Sequence, residues 1–121
     1  PGDIGTLSPD GTLVLGGRES ELFNLGGVKI DPLTVDEVAV AFPAVQDAAA
    51  FVFELEPGSP EIGLAVVGEV CDLQALDRWL RQQLPIRHPT AFWRVTEVPR
   101  TRLGKAMRAS LTEQFLIARE R

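Results

Sequence analysis

The chain has 121 residues, 45% of them hydrophobic and 24% charged, with a formal net charge of −5. That length suits one domain with a modest core, and the acidic balance gives no global field for nucleic acid or an anionic membrane. A single cysteine, Cys71, excludes an internal disulfide and fits a reducing cytoplasm, while no apolar run reaches the length of a membrane span and no signal peptide is visible.

In chain order, Ile4–Leu7 and Thr12–Leu15 flank Ser8-Pro-Asp-Gly11, and Asp-Gly between short apolar runs signals a hairpin. Gly16-Gly17 breaks the pattern and marks a linker. Glu21–Leu25 and Val28–Ile30 read as short extended pieces around Gly26-Gly27. A helix is expected from Pro32, with Asp31 as its candidate cap. Leu33, Val35, Val38 and Phe42 share one face, Asp36 and Glu37 face water, and Pro43 ends it. Ala48–Leu55 and Ile62–Val70 read as strands around the turn Pro57-Gly-Ser-Pro60. Asp72 caps a second helix running to Leu84, with Leu73, Leu76, Leu80 and Leu84 as its stripe and Trp79 beside it. After a loop at Pro85–Pro89 come a third strand, Phe92–Val98, and a last helix from Ala106 to Ala118 with Leu111, Phe115 and Ala118 at helical spacing. The expected fold class is α+β: an N-terminal β-hairpin, a hinge linker, then a small three-stranded sheet packed with about three helices.

The segment Val98-Pro-Arg-Thr-Arg-Leu-Gly-Lys105 carries the most chemistry. Pro99 restricts the backbone, Gly104 permits an unusual one, and the loop presents a lysine outward. Such a cation is suited to stabilising charge on a phosphate or carboxylate oxygen; the plain alternative is a solvated surface lysine. A second segment runs Gly16-Gly-Arg-Glu-Ser-Glu-Leu-Phe-Asn-Leu-Gly-Gly-Val-Lys-Ile-Asp-Pro32.

Together these segments resemble the small C-terminal domain of the adenylate-forming superfamily: acyl-CoA synthetases, aryl-CoA ligases, luciferases and peptide-synthetase adenylation domains. The likeness covers nearly the whole chain. Pro1-Gly-Asp-Ile-Gly5 is similar to the family's Thr-Gly-Asp element, with Pro1 where Thr is usual. Phe42-Pro-Ala-Val-Gln-Asp-Ala-Ala-Ala50 is similar to its His-Pro-x-Val-x-(Asp/Glu)-Ala-Ala segment, and the Lys105 loop to its Leu-Pro-(Lys/Arg)-Thr-x-x-Gly-Lys signature.

The resemblance implies roles for individual residues. Lys105 matches the lysine that meets the carboxylate and phosphate during acyl-adenylate formation. Asp3 matches the aspartate that accepts from the ribose hydroxyls of ATP, against the reading of a turn aspartate. Arg18 lies by the nucleotide or forms a salt bridge between domains. Ser20 falls at the hinge, where Asp or Lys is usual, and Glu19 or Glu21 could supply that charge. Gly26, Gly27 and Lys29 match a loop that enters the active site for thioester formation, against an ordinary Gly-Gly turn. Lys29 would meet phosphates of CoA or of a carrier's phosphopantetheine.

On this resemblance residues 1–17 are a β-hairpin from the end of a large domain, and residues 18–121 are the mobile C-terminal domain. The parent enzyme joins a carboxylic acid to ATP as acyl-AMP, then forms a thioester with CoA or an acyl-carrier protein, in a setting of fatty acid metabolism. Its cofactors are ATP with Mg2+, held mainly by the N-terminal adenylation domain. The isolated chain is expected to be inactive. The first residue, Pro1 and not Met, is compatible with processing or with a fragment. The alternative is a stand-alone module docking on a partner synthetase or acyl-carrier protein. His88, Cys71, Trp79, Phe92 and Trp93 read as structural or bystander residues, and no zinc spacing or Walker loop is present.

Overall fold

The computed structural model describes residues 22–69, 72–84 and 87–120. These fall into two compact units, one ending at Asp31 and the other beginning at Pro32. The expected hairpin at Ile4–Leu15 and the linker at Gly16-Gly17 lie outside the described residues.

The described part of the first unit is a two-stranded antiparallel ribbon, β1 (Phe23–Leu25) and β2 (Val28–Ile30), with Leu25 opposite Val28. Gly26 at φ 65° and Gly27 at φ 94° make its two-residue turn. Two positive φ angles are what a tight hairpin matched to strand twist requires, and glycine supplies them without a Cβ clash. The Gly27 N–H also donates to Asn24 Oδ1 at 3.0 Å.

The second unit runs α1 (Pro32–Val40), β3 (Asp47–Glu54), β4 (Pro60–Val67), α2 (Leu73–Gln83), β5 (Ala91–Arg94) and α3 (Arg108–Arg119). Its sheet has the order β3-β4-β5, with β3 antiparallel and β5 parallel to the central β4. α2 makes the crossover between the parallel strands, as a parallel pair demands. Asp72 caps α2 as expected, accepting from the N–H groups of Gln74 and Ala75.

Alternation along β3 sends Ala49, Phe51 and Phe53 to one face. There they pack with Ala65, Val98, Leu111 and Phe115. The Phe115 ring lies 5.1 Å from Phe51, 5.0 Å from Phe53 and 5.8 Å from Trp93, centroid to centroid. Opposite Phe51 in the register stands Gly63. A Cβ there would sit 2.5 Å from Phe51 Cζ, so the ring occupies the space that the missing side chain leaves. α1 packs on β3 and touches α2, and Val35, Ala39, Leu76 and Leu80 are buried.

Several boundaries differ from expectation for local reasons. α1 stops at Val40, ahead of Pro43, and closes through Phe42 N–H to Ala39 C=O; the residue before a proline is itself biased away from helix. β4 ends at Val67 because Gly68 follows at φ 147°. A Cβ on Gly68 would meet the Ala44 carbonyl oxygen at 2.2 Å. The third strand is short, since its partner runs out once Val95 N–H has reached Val66 C=O. Val98 is buried all the same. Leu33 is 36% exposed, and Ala118 faces solvent.

The largest correction concerns Asp36, expected to face water and in fact buried. Its Oδ1 accepts from Ala50 N–H at 2.7 Å. Arg108 reaches it from α3, with Nη2 donating to Oδ2 at 2.9 Å and Nη1 to Ala50 C=O at 2.8 Å. Two residues along, Thr112 Oγ1 donates to Val52 C=O at 2.7 Å. Side chains of α1 and α3 thus occupy hydrogen-bonding groups on the outer edge of β3 that no strand takes.

Candidate functional site

The lysine loop joins β5 to α3, and its own hydrogen bonds close it. Arg100 and Ala106 face each other as an isolated antiparallel bridge, and Met107 N–H donates to Pro99 C=O at 2.9 Å. Inside that neck the Thr101 N–H donates to Lys105 C=O at 2.8 Å, and Gly104 N–H to Thr101 C=O at 2.9 Å. Thr101 Oγ1 also accepts from Lys105 N–H at 3.2 Å. Gly104 takes φ 90°, which L side chains rarely adopt, so glycine is needed there for conformation. Leu103 at the tip is 90% exposed, and Lys105 is exposed beside it.

Arg100 ties this loop to the sheet. Its Nη1 donates to the Gly104 carbonyl at 3.0 Å and its Nη2 to Asp47 Oδ1 at 2.7 Å. Asp47 is the first residue of β3, and the same Oδ1 accepts from Ala48 N–H at 2.9 Å. Asp47 belongs to the Phe42–Ala50 motif and Arg100 to the lysine motif, so two segments quoted separately from the sequence are one physical assembly. Sequence reading missed both residues as site components. Nothing local in either motif signals the pairing, since the two residues stand 53 positions apart.

Gly26, Gly27 and Lys29 come together in the β1–β2 ribbon, with Lys29 exposed and paired in register with Asn24. Among the described residues a Cβ at either glycine would meet nothing within 4 Å, so there the glycines answer to backbone angle and not to crowding. Asp3, Arg18 and Ser20 lie outside the described residues.

Among the remaining polar groups, Asp36 is set apart by its burial. Burial lifts its carboxyl above the ordinary 3.8, while the Arg108 hydrogen bond and charge and the Ala50 N–H pull it back. His88 is half-buried, its Nδ1 3.2 Å from Pro89 C=O. Among the described residues no group of three or more His, Cys, Asp or Glu side chains is placed to hold a metal ion, and no helix is long and apolar enough to cross a membrane. A groove of about 580 Å³ opens where β4 and β5 end, lined by Gln46, Gly68, Glu69, Arg94 and Thr96 among others; none of the described residues that line it is a candidate site residue.

No protein-family model matches the chain. Among curated proteins it is 34% identical over 118 residues to oxalate–CoA ligase of Saccharomyces cerevisiae, covering 94% of this chain and 22% of that protein. It is 36% identical over 119 residues to the medium/long-chain fatty acid acyl-carrier-protein ligase FadD10 of Mycobacterium tuberculosis, covering 91% of this chain and 22% of the relative. Among solved structures, apo MatB from Rhodopseudomonas palustris matches with a TM-score of 0.72 at 22% identity, over 81% of this chain and 20% of that one. A fatty acyl CoA synthetase of Mycobacterium tuberculosis matches at 0.71 and 20% identity, over 82% of this chain and 20% of that chain. The structural likenesses establish the fold, and the sequence relatives go further: the chain belongs with the acyl-CoA and acyl-carrier-protein ligases of the adenylate-forming superfamily, as a segment spanning about a fifth of their length.

Proposed function

We propose that this segment is the mobile C-terminal domain of an AMP-forming acyl-activating ligase, with Lys105 as its catalytic group. One observation carries the reading. An exposed lysine ends a self-closed loop, in a chain whose relatives, at 34% and 36% identity, are ligases for CoA and for an acyl-carrier protein.

The chemistry follows from charge. A carboxylate attacking the α-phosphate of ATP brings two anions together, and a cation between them lowers the barrier by stabilisation and alignment. Lys105 supplies that cation. Asp3 would hold the ribose and Arg18 the nucleotide oxygens, with Mg2+ arriving on ATP and held mainly by the large domain. Ser20 would be the pivot about which residues 18–121 turn, residues 1–17 staying with the large domain. In the second pose Gly26, Gly27 and Lys29 would line the path of a pantetheine arm, belonging to CoA or to a carrier protein. A cytoplasmic setting fits these substrates.

The test separates the half-reactions in the complete ligase. Lys105→Ala is expected to lower acyl-adenylate formation by ~100–1000-fold, the usual worth of a preorganised charge contact. Thioester formation from pre-made acyl-adenylate should fall far less. Equal loss in both would assign Lys105 a structural role instead.

A further inference from the structure

We propose that Asp47 and Arg100 are positioning residues for Lys105, which they serve by pinning the peptide plane from which it springs. The inference rests on the reading of Lys105 given above.

The Gly104–Lys105 peptide is held from both sides. Its carbonyl accepts from Arg100 Nη1 at 3.0 Å, and its N–H donates to Thr101 Oγ1 at 3.2 Å. Glycine has the most permissive backbone of any residue, so a side chain that follows one needs an outside hold if it is to leave the loop in a fixed direction. Arg100 provides that hold only because it is anchored itself. Its second nitrogen meets Asp47 Oδ1 at 2.7 Å, and Asp47 begins a strand paired along its length with β4, Asp47 opposite Val67. A continuous path thus runs from sheet to carboxylate, to guanidinium, to the carbonyl next to Lys105.

The planar fork of arginine suits this bridging. One guanidinium reaches two acceptors on different segments, which a lysine ammonium on its flexible stem reproduces poorly. Both side chains of the pair are 36% exposed. Exposed ion pairs contribute little to global stability, so the value of this one lies in geometry. A displaced catalytic group costs rate steeply even when the fold is intact.

In the ligase that carries this segment, Asp47→Ala and Arg100→Lys should each slow acyl-adenylate formation by about 10- to 100-fold. Thioester formation from pre-made acyl-adenylate and the melting temperature should hold. Tryptic cleavage after Arg102 in the native protein should accelerate as the loop loosens. The double variant should be no worse than the poorer single one, since the two act as a unit. Normal adenylation in both single variants, beside an inactive Lys105→Ala, overturns the positioning role and leaves Lys105 as the catalytic group. A Lys105→Ala enzyme with full adenylation overturns both. A lowered melt with equal loss of the two half-reactions assigns the pair to structure and overturns the proposal.

Discussion

Arg108 and Asp36, 72 residues apart in sequence, meet at the outer edge of β3 and between them satisfy both backbone groups of Ala50. The pair is largely out of water, with side-chain exposures of 14% and 12%. Breaking it from one side strands a buried charge. Asp36→Ala should therefore destabilise the fold by about 3–5 kcal/mol, read as a shift in the urea midpoint at constant slope. Replacing both with apolar residues removes the stranded charge but leaves the Ala50 N–H and C=O unpaired. The double variant should recover only part of the loss, and full recovery would show that the backbone groups find other partners.

The same pair predicts a pH effect. Burial raises the native Asp36 value above 3.8, so the native state holds that proton more tightly than the unfolded chain does. The stability this adds is complete below the ordinary value and is lost as pH rises through the native one. Wild type should therefore lose ground to Asp36→Asn as pH climbs through that window. Urea midpoints of the two proteins across a pH series give the comparison, and a relative stability that rises with pH contradicts the sign.

Gly63 tests the aromatic packing. A methyl group there would lie 2.5 Å and 2.6 Å from two ring carbons of Phe51, which is fully buried and has little room to withdraw. Gly63→Ala should cost about 1–3 kcal/mol. Combining it with Phe51→Leu should cost less than the sum of the two single changes, because the second opens the space the first needs.

Gly27 separates backbone angle from passage. At φ 94°, any L side chain is strained but not blocked by the described residues. Asn tolerates this region better than Leu does. Both Gly27→Asn and Gly27→Leu should slow thioester formation in the complete ligase if the turn lines the pantetheine path, while only Leu lowers the melt appreciably. Unchanged thioester formation in the Asn variant would leave Gly27 with a conformational role alone.

The purified chain should give a folded circular dichroism spectrum and no pyrophosphate exchange above background with ATP and a panel of carboxylic acids. On the proposed reading Lys105 would be one part of a site whose other walls belong to a larger protein, and preorganisation needs those walls. Robust exchange from the chain alone would contradict the reading.

What the sequence displayed was mostly local. Asp72 before an apolar stripe, Gly26-Gly27 between short runs and Gly104 before Lys105 each declare a backbone requirement within a few residues, and each holds in the structure. Asp36 did not declare itself. Nothing in the spacing of α1 distinguishes it from its exposed neighbour Glu37, because its partner Arg108 arrives from the far end of the chain. The Asp47–Arg100 contact was hidden in the same way, across 53 positions. The third strand is shorter than its apolar run suggests because length is set by the neighbour it pairs with, and β4 turns away at Gly68.

The occupied groups on the outer edge of β3 bear on whether the sheet can be extended by another molecule. A strand with open donors and acceptors is a template on which another molecule can extend a sheet. Asp36, Arg108 and Thr112 take up the Ala50 N–H and C=O and the Val52 C=O, groups on which such growth would start. Variants at these positions would then act through self-association as well as through weakened folding. Losses of soluble yield that scale with protein concentration would be their signature.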